Sequence, residues 1–122
     1  MPAIHADIRE LELELKLIDG SEQEYEYKRK NGRVSAKVKI QDKEGRKTKK
    51  SGQEAISATE QLLSELAPTE EMSSEQLISR VHSALHVKPE MIDRLEIEVE
   101  FNNGAEIKAK AHGRKQTRRP AA

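Results

Sequence analysis

The 122-residue chain contains no cysteine and no tryptophan, and its only aromatic side chains are Tyr25, Tyr27 and Phe101. Without cysteine there is no disulfide framework, no thiolate metal site and no thiol nucleophile. Three aromatics offer little for stacking against bases. No apolar run approaches the ~20 residues of a membrane-crossing helix. The opening MPAIHADIRE lacks the apolar stretch of a signal peptide. The glycines never fall into a G-x-G-x-x-G or Walker spacing, and no nucleophile-elbow motif occurs. These gaps predict a protein that is not an enzyme and uses no cofactor.

What is present is charge. Charged residues make up 36% of the chain and hydrophobic ones 34%, with a formal net charge of zero. The charge is blocky. Residues 1–27 hold two bases and eight acids, 28–50 eleven bases and two acids, 51–107 three bases and twelve acids, and 108–122 six bases and no acid. Blocks of alternating sign suit pairing between neighbouring strands as well as contact with a partner.

The apolar residues alternate. Leu11, Leu13, Leu15 and Leu17 are separated by Glu12, Glu14 and Lys16, the pattern of a half-buried strand. Tyr25 and Tyr27 continue it on a second strand, and Val34, Ala36, Val38 and Ile40 on a third. Leu95, Ile97, Val99 and Phe101 mark a fourth, and Ile107, Ala109 and Ala111 a fifth. Residues opposed in an antiparallel pair share a face, so parity fixes loop length. In LIDGSEQEYEY the apolar positions are odd on both sides. A three-residue loop Ile18-Asp19-Gly20, with Gly20 left-handed in a bulge, then pairs Leu13 with Tyr25 and Leu11 with Tyr27. Asn102-Asn103-Gly104 repeats that solution and pairs Val99 with Ile107. Between Tyr27 and Val34 the parity changes, which requires the two-residue turn Asn31-Gly32.

Two helical patterns lie between these strand groups. Ser51-Gly52-Gln53-Glu54 fits a capping box ahead of Ile56, Thr59, Leu62, Leu63 and Leu66, and Pro68 closes that helix. Ser73-Ser74-Glu75-Gln76 fits a second box ahead of Leu77, Ile78, Val81, Ala84 and Leu85. A short helical turn is expected from Pro89. The order β-β-β-α-α-β-β predicts a two-layer α+β fold: a five-stranded, mainly antiparallel sheet with two helices on its apolar face. The expected boundaries are an N-terminal extension over 1–7, one domain over 8–112 and a basic disordered tail over 113–122.

The run LELELKLIDGSEQEYEY, the paired helical segments and DRLEIEVEFNNGAEIKAK together resemble the YusW-like proteins of Bacillus and its relatives. The resemblance covers roughly residues 8–111 and rests on pattern and order. It implies no catalytic residues, because members have no characterised activity. Many members look like secreted lipoproteins of Gram-positive cells, anchored through a cysteine that this sequence lacks. A native start at Met1 would make the chain cytoplasmic, and a removed leader would place it at the cell surface.

Four groups of residues invite a chemical reading. His82 and His86 have the i, i+4 spacing of a helical metal pair, but no third or fourth ligand is evident. The plainer reading is a surface pair near a helix C-terminus. Glu12, Glu14, Glu24, Glu26, Glu96, Glu98 and Glu100 should crowd one open sheet face, as a solvated surface rather than a catalytic dyad. The third and fourth groups are basic: Lys43, Arg46, Lys47, Lys49 and Lys50 in a loop, and Arg114, Lys115, Arg118 and Arg119 in the tail. Both could contact a polyanion. The expected role is an interaction or accessory domain that meets a protein or an anionic envelope polymer, and the resemblance implies association with a Gram-positive envelope. The alternative is a small intracellular protein associated with nucleic acid through the basic loop and tail.

Overall fold

The computed structural model describes residues 7–112. Four strands come first: β1 (Ile8–Leu17), β2 (Glu22–Lys30), β3 (Arg33–Gln41) and β4 (Lys47–Ser51). Helices α1 (Gly52–Leu66) and α2 (Ser74–Leu85) follow, then a 3-10 turn at Pro89–Met91, and finally β5 (Ile92–Phe101) and β6 (Glu106–His112). All the pairings are antiparallel, in the order β4-β3-β2-β1-β5-β6. The α+β class is as expected, but the sheet has six strands and not five.

The additional strand is β4, Lys-Thr-Lys-Lys-Ser, in the segment expected to be a basic loop. All five of its residues are exposed. A strand with no inward apolar residue leaves no hydrophobic alternation to read, and its strand state rests on backbone pairing with β3. A second signal was present. Asp42 N–H donates to the Arg46 carbonyl at 2.9 Å, Gly45 N–H donates to the Asp42 carbonyl at 2.9 Å, and Gly45 has φ +90°. The sequence Asp-Lys-Glu-Gly-Arg therefore closes a three-residue hairpin loop like the other two.

Those two loops form as parity requires. Leu17 N–H donates to Ser21 and Phe101 N–H to Ala105, while Gly20 and Gly104 both sit at φ +93°. The register pairs Leu13 with Tyr25, Leu11 with Tyr27, and Val99 with Ile107. In each loop the middle side chain helps fix the turn. Asp19 Oδ1 accepts from Ser21 N–H and Asn103 Oδ1 from Ala105 N–H, both at 2.9 Å. Asn31 and Gly32 have φ +52° and +78°, the positive pair that a two-residue turn of the primed type demands.

The core lies between the sheet and the helices. Leu11, Leu13, Leu15, Tyr27, Leu95, Ile97 and Val99 pack beneath Ala55, Leu62, Leu63 and Leu66 of α1 and Leu77 and Val81 of α2. Helix α1 covers the β2–β4 side and α2 covers β6. Ile8 and Ile92 are buried too, although their even numbers put them out of phase with the odd core set. Two irregularities in the β1–β5 ladder, at Arg9 and at Asp93, shift the parity and turn both side chains inward.

The two capping boxes fare differently. Ser73 accepts from Gln76 N–H at 3.1 Å while the Gln76 side chain accepts from Ser73 N–H at 2.8 Å. Ser51 makes no such bond, because it is still extended strand (φ −145°, ψ 175°) paired with Lys37. The chain turns abruptly into α1 through Gly52 at φ +64°. Helix α1 ends on the left-handed Ala67, one residue before Pro68, and Arg80 donates to the freed Leu66 carbonyl at 2.8 Å.

Candidate interaction face

Because both helices cover one side, the even-numbered side chains of the central strands stand on an open face. The register lays them out in rows across the sheet. One row runs Lys37, Glu26, Glu12, Glu98, Lys108, and the next runs Lys39, Glu24, Glu14, Glu96, Lys110. Lys49 extends the second row from β4. The result is a floor of carboxylates three strands wide between two rails of lysine. A trough of about 870 Å³ lies over this floor.

The rails reach the outer glutamates only. Lys39 Nζ lies 3.8 Å from Glu24 and Lys108 Nζ lies 3.9 Å from Glu98. Arg94 takes Glu96 at 2.5 Å, and Arg9 takes Glu100 at 2.5 Å. Among the described residues, Glu12, Glu14 and Glu26 have no cation within salt-bridge distance. Glu12 faces Glu26 on one side and Glu98 on the other, and Glu14 faces Glu24 and Glu96. Like charges directly opposite on neighbouring strands oppose folding. Partial burial, with Glu12 and Glu100 adding to it, raises the Glu10 carboxyl above its ordinary value. Glu98 is raised by burial and by Glu106 and Glu12. The hydrogen bond from Arg94 lowers Glu96.

The basic residues named from the sequence separate in space. Arg46 is engaged by Asp42 at 3.4 Å and by Glu44 at 4.0 Å. Lys47 and Lys49 lie in register with Gln41 and Lys39 at the margin of the open face, and Lys50 projects to the opposite side by strand alternation. Lys43 lies in the β3–β4 loop. Arg114, Lys115, Arg118 and Arg119 lie outside the described residues, as do residues 1–6 of the expected N-terminal extension. His86 is the left-handed residue that ends α2. Among the described residues no group of three or more His, Cys, Asp or Glu could hold a metal ion. No helix of the described residues is long and apolar enough to cross a membrane.

The pairing of β1 with β5, which side-chain parity does not specify, is what assembles the acidic floor. It joins the β1–β3 meander, whose outer glutamates face Lys37 and Lys39, to the β5–β6 hairpin, whose glutamates face Lys108 and Lys110. No curated protein and no solved structure matches this chain. The model of the YusW-like protein family matches residues 9–103, and the chain belongs to that family.

Proposed function

We propose that the chain is a non-enzymatic interaction module whose open sheet face receives a cationic segment of a protein partner. The observation that carries this reading is the pair of like-charge rows, Glu26-Glu12-Glu98 and Glu24-Glu14-Glu96, across three adjacent strands. A surface that only had to be soluble could alternate its charges. A floor of opposed carboxylates keeps a repulsion that a bound cation relieves. The lysine rails orient such a partner along the strands by repelling it from the margins. The same floor disfavours a phosphate backbone laid on this face, so the cationic partner is the better fit.

The test is titration with a labelled oligolysine peptide at low and high salt. Saturable, salt-sensitive binding to the parent chain is expected, and loss of that binding in Glu12→Gln/Glu14→Gln/Glu26→Gln. Unchanged affinity in a folded triple variant would refute the proposal. Side-chain-dependent turnover of any substrate would refute its non-enzymatic part.

A further inference from the structure

The two edges of the sheet are not equivalent. The Phe101–Ala105 hydrogen bond sets the alternation on β6, so the backbone groups of Glu106, Lys108, Lys110 and His112 point to the outer side. There Ser74, the first residue of α2, donates its hydroxyl to the Lys108 carbonyl at 2.9 Å. That edge is blocked at its middle. On β4 the Asp42–Arg46 bond turns Ile40–Thr48 and Val38–Lys50 into the bonded pairs, which leaves the amides of Lys47, Lys49 and Ser51 facing away from β3. All of β4 is exposed. Among the described residues, Lys47, Lys49 and Lys50 have no acid within salt-bridge distance.

We propose that β4 is the docking edge for an extended acidic segment of a protein partner, which adds one further strand beside it. Main-chain hydrogen bonds to Lys47, Lys49 and Ser51 would hold the segment. Acidic side chains on alternate residues would meet Lys47 and Lys49 on the open face, and a residue between them would meet Lys50 on the other. Lysines on an edge repel copies of the same strand. Repulsion of like edges and attraction of an acidic one are the same charge put to two uses, and this edge discriminates between the two. The proposal uses backbone at one margin and is independent of the carboxylate floor.

The test uses the full chain and a capped peptide of alternating glutamate and threonine. Fluorescence anisotropy should show saturable binding at low salt that weakens at high salt. Hydrogen exchange should slow at the amides of Lys47, Lys49 and Ser51. Lys49→Pro removes an outward N–H without touching the ladder to β3, and should weaken binding by about tenfold. Lys49→Thr keeps the amide and should weaken it by about threefold. Backbone methylation of alternate peptide residues should abolish binding and requires no change to the protein. The proposal is overturned by an absence of binding at low salt, by binding indifferent to both Lys49→Pro and peptide methylation, or by protection that appears on β6 instead.

Discussion

The two faces of this sheet are built by opposite rules. On the covered face every strand except β4 contributes apolar side chains: Leu11, Leu13 and Leu15 lie beside Leu95, Ile97 and Val99 under two helices. Adding strands there adds burial, so the assembled sheet is better than its hairpins. On the open face, assembly makes matters worse. The β1–β2 hairpin already opposes Glu12 to Glu26 and Glu14 to Glu24, and pairing with β5 adds Glu98 and Glu96 to the same rows. The covered face drives the strand order, and the open face tolerates it. A face that opposes its own fold and still presents a lined trough is the part of the molecule whose chemistry folding does not explain.

Substitutions should separate the faces sharply. The largest effect belongs to the covered side. Leu63→Ala removes a fully buried α1 side chain and should lower the unfolding free energy by about 2–5 kcal/mol, read by chemical denaturation. Ser73→Ala breaks the capping box of α2 and should cost about 1 kcal/mol by the same measurement. On the open side the sign should reverse. Glu14→Gln removes one of three facing charges that has no salt bridge, and should raise stability by a few tenths to about 1 kcal/mol. Glu24→Gln in the same row also loses the Lys39 contact and should be close to neutral. A loss of stability in Glu14→Gln as large as that of Leu63→Ala would break the comparison.

The smallest effect is on pH dependence. Glu10 and Glu98 have carboxyl pKa values raised in the folded state above the ordinary 4.5. The folded chain then binds more protons than the unfolded one just above that value, so these two groups make stability rise as pH falls toward 4.5. Glu96, lowered by Arg94, acts the other way: its contribution is present above 4.5 and is lost as pH falls through its folded value. A shallow maximum on the acid side of neutral is expected in unfolding midpoints followed against pH.

Much of the covered face was legible in the sequence, because side chains alternate with period two and an apolar set must share a side. That constraint gave the loop lengths and the partners of Leu11, Leu13 and Val99. It says nothing about which hairpin lies beside which, so the β1–β5 seam and the acidic floor stayed hidden. Strand β4 carries no apolar residue and was invisible to the same rule, although the Asp42–Arg46 segment matches the other glycine loops. Ile8 and Ile92 fell out of phase at the two ladder irregularities. Ser51 has the sequence of a cap and the backbone of a strand.

The most direct test of the central claim is the denaturation midpoint of Glu12→Gln/Glu14→Gln/Glu26→Gln against the parent chain at low and high salt. The variant should be the more stable at low salt, with the gap narrowing as salt screens the parent's repulsion. A variant less stable than the parent at low salt would contradict it, because the carboxylate floor would then be supporting the fold.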